Sequence, residues 1–203
     1  IQILAYLESQ REAGKLNLVV CPASLVLNWH DEVNKFQGKL KALAVYGSRS
    51  EREKLLKDAQ DYDLLITSYD YLKRDPDLYH EMRFDTVILD EAQYISNPRT
   101  KNAQCVKQLN CRQRFALSGT PIENTLTELW SIYDFLLPGY LYTHGVFSDL
   151  FEKPIIKDKD EKATKRLQRL VRPFLLRRTK QEVLQELPDK EEHVLQFHFE
   201  PKE

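Results

Sequence analysis

The sequence predicts an α/β fold: a parallel sheet buried on both faces, followed by a helical extension. Three observations predict it. Short, near-continuous apolar runs recur through the first two thirds of the chain. Helix-start chemistry follows most of them within a few residues, which is the rhythm of βαβ units. After Pro138-Gly139 the strand signal stops and helical periodicity continues alone.

The elements follow in order. Residues 1–7 form a helical apolar pattern with neither a cap residue nor Met before it. The strand candidates are 18–21, 42–46, 64–67, 86–89 and 115–117. Pro22-Ala23-Ser24 precedes a helix whose apolar face is Leu25, Trp29, Val33 and Phe36. Ser48-Arg49-Ser50 starts a helix over 51–60, and Ser68 caps a helical turn over 69–73. Thr120-Pro121 starts a helix over 122–137, with Leu126, Leu129, Trp130, Tyr133 and Leu137 on one face. Beyond it the spacing predicts helices over 143–152, 161–172 and 179–187, with a charged loop over 154–160. An alternating run over 193–199 reads as a strand.

Composition sets the class. The chain has 203 residues, 42% hydrophobic and 30% charged, an ordinary globular balance. No apolar stretch reaches the roughly 20 residues of a membrane-spanning helix, and no signal peptide is visible. Three Cys and five His show no metal-ligand spacing, which predicts free thiols in a reducing compartment. The net charge of -1 hides an uneven distribution: -4 over residues 1–152, +8 over 153–180 and -5 over 181–203. The +8 block is either a solvated helical face or a surface for a polyanion or a protein partner.

Four places carry possible chemistry. The first is the strand-end sequence Thr86-Val87-Ile88-Leu89-Asp90-Glu91-Ala92-Gln93. Ligands of open α/β sheets sit at the carboxyl ends of strands. There Asp90 can hold the water shell of a nucleotide-bound Mg²⁺, and Glu91 can polarise an attacking water. The same residues read equally as a helix cap and a dipole partner. The second is Ser118-Gly119-Thr120-Pro121, either a relay between a phosphate site and a polymer or a plain N-cap at Thr120. The third is the pair of loops Cys21-Pro22-Ala23-Ser24 and Thr67-Ser68-Tyr69, whose hydroxyls and amides suit phosphate contacts and suit capping as well. The fourth is an absence: six Gly, none in a Gly-x-x-x-x-Gly-Lys-Ser/Thr phosphate loop.

Taken together these blocks resemble the first ATPase lobe of the Swi/Snf-type family, DNA-dependent ATPases and translocases of helicase-like superfamily 2. The blocks, in chain order, are CPASLVLNW, LLITSYDYL, VILDEAQYISNP, FALSGTPIENTLTELWSIYDFLLPG and LLRRTKQEVLQELPDK. The resemblance covers nearly the whole chain and implies a RecA-like three-layer lobe. It implies ATP and Mg²⁺ as cofactors and double-stranded DNA and a second ATPase lobe as partners. It divides the chain into a lobe over 1–140, a helical protrusion over 141–176 and a connector over 177–203. Residue by residue it implies Asp90 on the Mg²⁺ shell through water and Glu91 polarising water. Gln93 closes that motif in place of the more usual His. Ser118, Gly119 and Thr120 become the coupling motif, and Ser24, Thr67, Ser68, Tyr69 and Asn124 the nucleic-acid contacts. Gln2 would be the tail of a phosphate loop standing before Ile1.

Both ends read as cut, so residues 1–203 alone are expected not to hydrolyse ATP. A non-catalytic binding lobe and an RNA-directed helicase remain open alternatives. A bacterial nucleoid setting is expected, or a nuclear one in a eukaryote.

Overall fold

Strands β1 (Asn17–Cys21), β2 (Ala42–Ala44), β3 (Leu64–Ser68), β4 (Arg83–Leu89) and β5 (Asn110–Ala116) form one sheet in the order β2-β3-β1-β4-β5. Every pairing is parallel. The computed structural model describes residues 1–12, 14–36, 38–119 and 125–178. Its helices are α1 (Gln2–Ser9), α2 (Val26–Lys35), α3 (Arg49–Lys57), α4 (Tyr69–Arg74), α5 (Asp77–His80), α6 (Lys101–Lys107), α7 (Leu126–Leu136), α8 (His144–Phe147), α9 (Lys153–Lys157) and α10 (Glu161–Val171). The helix expected over 179–187, the strand over 193–199 and most of the connector lie outside the described residues.

The sheet separates two apolar clusters, which gives the three layers. Alternation along a strand sends successive side chains to opposite faces. Leu18, Val20, Leu65, Val87 and Leu89 face one cluster, with Leu72 of α4, Val106 of α6 and Phe135 of α7. Val19, Cys21, Leu64, Ile66 and Ile88 face the other, with Leu4 and Leu7 of α1 and Val26 and Val33 of α2. Burial of each such side chain is worth roughly 1.5–3 kcal/mol.

Among the boundaries that differ from expectation, three have a clear physical reason. β5 starts at Asn110 rather than Phe115 because it is an edge strand paired only with β4. Its half-exposed Arg112, Gln113 and Arg114 therefore carry no apolar signal. α7 is capped by Thr125, whose hydroxyl accepts from the Glu128 amide at 3.4 Å, so Thr120 is not its cap. Pro154 does not open a loop. It lies in the first turn of α9, directly after a π-helical turn over Ser148–Glu152. A proline in a continuing helix leaves a carbonyl without its amide and crowds it; the widened π turn accommodates both effects.

The chain divides into two compact units, residues 1–160 and 161–203. In the second, α10 places Ala163, Leu167 and Val171 along one stripe, and a 3₁₀ turn over Arg172–Phe174 ends it. Among the described residues no helix is long and apolar enough to cross a membrane.

Candidate functional site

The site stands at the carboxyl edge of β1, β3, β4 and β5. β4 ends at Leu89, and the Asp90 amide still donates to Val20 O at 2.9 Å. The backbone then turns sharply: Glu91 is left-handed at φ 50°, uncommon for a residue other than Gly. A single 3₁₀ turn over Ala92–Ile95 follows, with no side-chain cap. Asp90 and Glu91 therefore do not start a regular helix, and the capping alternative loses its helix.

Asp90 is held from three directions. Its Oδ2 accepts from the Trp29 indole at 2.7 Å, and its Oδ1 from the Glu91 amide at 3.0 Å. Its backbone carbonyl accepts from the Tyr69 hydroxyl at 2.9 Å. Burial, with the nearby Asp90 charge adding, pushes the Tyr69 phenol well above its ordinary range, so it stays a donor. Burial beside Asp90 likewise pushes the Cys21 thiol up to about 12.

Glu91, Gln93 and Ser118 form a chain. Gln93 donates Nε2–H to Glu91 Oε2 at 2.7 Å, and Ser118 donates to Gln93 Oε1 at 3.0 Å. The backbone joins the same two loops: Leu117 N–H donates to Leu89 O, and Ala92 N–H to Leu117 O, each at 2.8 Å. Ser118 is thus joined through Gln93 to the Glu91 carboxylate. Gly119 follows Ser118 on the exposed loop. Thr120 and Asn124 lie outside the described residues.

Gln2 is exposed at the first position of α1, and the run of that helix shows where it points. At the far end Glu8 accepts from the Lys39 amide, just before β2. Arg11 pairs at 3.1 Å with Asp63, just before β3. The end of α1 therefore lies at the amino edge of the sheet. Eight residues span about 12 Å, close to the length of a five-residue strand, so Gln2 lies toward the carboxyl edge, where Asp90 stands. A helix start on that edge is suited to phosphate.

The two loops differ in access. Ser24 is exposed in a 3₁₀ turn over Ala23–Leu25 that leads into α2. Thr67, Ser68 and Tyr69 are buried and bonded internally. Tyr79 donates to the Thr67 hydroxyl at 3.0 Å, and Ser68 accepts from the Tyr71 amide at 3.2 Å. Tyr69 stacks under exposed Tyr94, ring centroids 5.0 Å apart. The three side chains turn inward, so what this loop leaves at the edge is backbone rather than hydroxyls.

Trp29, which ends the block CPASLVLNW, makes a contact to Asp90 that sequence reasoning did not foresee. Its helical spacing marks it as core, and periodicity says nothing of where an indole N–H points. The usable signal was that a buried indole N–H needs an acceptor. The donor set also fits the implied cofactor. Among the described residues no three His, Cys, Asp or Glu side chains cluster as a metal cage. A lone strand-end carboxylate suits Mg²⁺ that keeps its waters and is shared with phosphates.

Comparisons with known proteins agree on one family. The sequence profile described as the SNF2-related domain matches residues 1–203. TATA-binding protein-associated factor 172 of Homo sapiens is 42% identical over 187 residues, which cover 86% of this chain and 10% of that protein. TATA-binding protein-associated factor mot1 of Aspergillus fumigatus is 38% identical over 204 residues, 95% of this chain and 11% of that one. The solved SWI2/SNF2 ATPase core of Sulfolobus solfataricus in complex with dsDNA superposes with a TM-score of 0.77 at 38% identity, covering 88% of this chain and 36% of that chain. The chain thus spans about a tenth of these curated relatives.

Proposed function

The chain belongs to the SNF2-related domain family, and from that premise we propose that it is the first lobe of an ATP-dependent translocase acting on double-stranded DNA. The hydrogen-bonded run Glu91–Gln93–Ser118 is the observation that carries this reading. It ties the carboxylate suited to polarising water to the Ser118 loop after β5, which the family resemblance reads as the coupling motif.

In this reading Asp90, with its water shell, and the start of α1 at Gln2 face the nucleotide. Bound Mg²⁺ supplies positive charge that offsets the charge building up on the phosphates. Glu91 orients water and accepts its proton, and Gln93 keeps the Glu91 carboxylate in one rotamer. Duplex DNA lies along the edge through Ser24, with Thr67, Ser68 and Tyr69 supporting that edge from below. Such contacts are to phosphate, so binding is sequence-tolerant and weakens with salt. The dsDNA-bound relative supports the choice of duplex over RNA. By its charge, the basic run 153–180 is a further candidate for contact with acidic partners. The setting is a bacterial nucleoid or a nucleus, according to the host.

Residues 1–203 contain no phosphate-loop Lys, so by themselves they do not turn over ATP. Joined to that loop and a second lobe, they do. The test is steady-state ATP hydrolysis by the two-lobed protein with no polymer, with duplex DNA and with RNA. Stimulation by duplex DNA is expected. Stimulation by RNA alone, or none, overturns the proposal.

A further inference from the structure

Trp29 sits one turn after Leu25 and one turn before Val33 on α2, a spacing that by itself means core. Its ring does pack with the apolar cluster on that face of the sheet. Its N–H goes elsewhere, to Asp90 Oδ2 at 2.7 Å, the length of a charge-assisted bond. Indole can only donate and a carboxylate can only accept, so the pair has one possible polarity. With the Glu91 amide on Oδ1, each Asp90 side-chain oxygen has one donor among the described residues and lone-pair capacity left.

The helix that carries Trp29 begins at the exposed turn holding Ser24. The Leu25 amide closes that turn onto Pro22 O at 2.9 Å, and α2 starts at the next residue. One helical turn, about 5.4 Å, then separates Leu25 from Trp29. A displacement of the turn is carried to the indole by a stiff helix rather than by a loop.

We propose that Trp29 is a positioning residue. Its indole N–H sets the orientation of the Asp90 carboxylate and transmits displacement of the turn at residues 22–25 to it. The proposal rests on the reading of Asp90 as the carboxylate beside Mg²⁺. The route is separate from the Ser118–Gln93 relay, because it enters the site at Asp90 and not at Glu91. Ring packing does not need it: phenylalanine keeps most of the apolar contact and loses only the donor.

The test uses the two tryptophans of the chain. Trp130 donates to the neutral Tyr142 carbonyl at 3.1 Å and serves as an internal reference. In ¹⁵N-labelled protein, Asp90→Asn moves the Trp29 indole proton resonance and leaves that of Trp130 in place. Adding Mg²⁺ with ADP to the two-lobed protein moves the Trp29 resonance as well. Trp29→Phe raises the Mg²⁺ needed for half-maximal DNA-stimulated turnover by roughly tenfold. Its ATP affinity without Mg²⁺ and its melting temperature stay near those of the parent. A Trp29 resonance indifferent to Asp90→Asn overturns the inference. So does an unchanged Mg²⁺ requirement in Trp29→Phe while Mg²⁺ with ADP still moves the Asp90 and Glu91 amides. If those amides do not move even in the parent protein, the reading of the site fails and the inference falls with it.

Discussion

Ser118 donates its hydroxyl to the Gln93 side-chain oxygen at 3.0 Å, across the gap between the ends of β5 and β4. Gln93 turns its other end to Glu91. Ser118 is exposed, so Ser118→Ala changes stability by no more than about 1 kcal/mol. The lost bond is worth about 1 kcal/mol, a factor of about five. The expected outcome is a roughly fivefold loss of DNA-stimulated turnover, with basal turnover and DNA affinity retained. Rates at saturating and zero duplex DNA check it; equal loss in both would contradict the relay.

Arg52 and Asp75 are each 3% exposed and bond to one another, Nε to Oδ2 at 2.9 Å. Arg52 also donates to Gly47 O and stacks on the Tyr71 ring. Removing Asp75 strands the buried Arg52 charge, whereas removing Arg52 leaves Asp75 its second partner, Arg49 Nη1 at 3.1 Å. Asp75→Ala is therefore expected to cost about 3–5 kcal/mol, and Arg52→Ala and the pair Arg52→Met with Asp75→Leu less. Urea denaturation of the three variants decides; Asp75→Ala within about 1 kcal/mol of the parent contradicts the account.

Gly47 has φ +94°, and a Cβ there would meet the Glu51 carboxylate. The backbone strain of Gly47→Ala is expected to cost roughly 1–2 kcal/mol. Moving the Glu51 carboxylate adds to it, because that group accepts from the Ser48 amide and hydroxyl, each at 2.7 Å, in the capping box. Thermal melting reads both, and Glu51→Gln in the same background separates them.

Cys21 is buried, and folding raises its thiol pKa to about 12. Between about pH 8.5 and that value the unfolded chain has released a proton that the folded chain keeps. This contribution to stability is complete below the lower pH and is lost as pH rises through the window. Cys21→Ala is expected to show a shallower decline above pH 8.5. In the parent, iodoacetamide at pH 8 reaches Cys21 only after denaturant is added. Native-state alkylation at the rate of a free thiol would contradict this.

Much of the fold was legible because β1, β3 and the end of β4 are buried on both faces and read as unbroken apolar runs. Only the end of the edge strand β5 was, since Cys111 stands alone among polar residues until Phe115 and Ala116. α6 was missed although Thr100 caps it, its hydroxyl accepting from the Ala103 amide at 3.3 Å. Seven residues hold too few apolar positions to show a period. Asp90 and Glu91 stand where the sequence puts them, directly after the apolar end of β4. The inward turn of Thr67, Ser68 and Tyr69 was not legible, because hydroxyls that cap, bury or bind look alike in a sequence. Trp29 was hidden for the opposite reason: its apolar ring accounts for its spacing and masks its donor.

The most direct test of the central claim is duplex-DNA-stimulated ATP hydrolysis by the two-lobed protein carrying Glu91→Gln. The account predicts that turnover disappears while ATP and DNA still bind, because Asp90, Trp29 and the exposed edge are untouched. Retained turnover, or loss of ATP binding in that variant, would contradict the role given to Glu91.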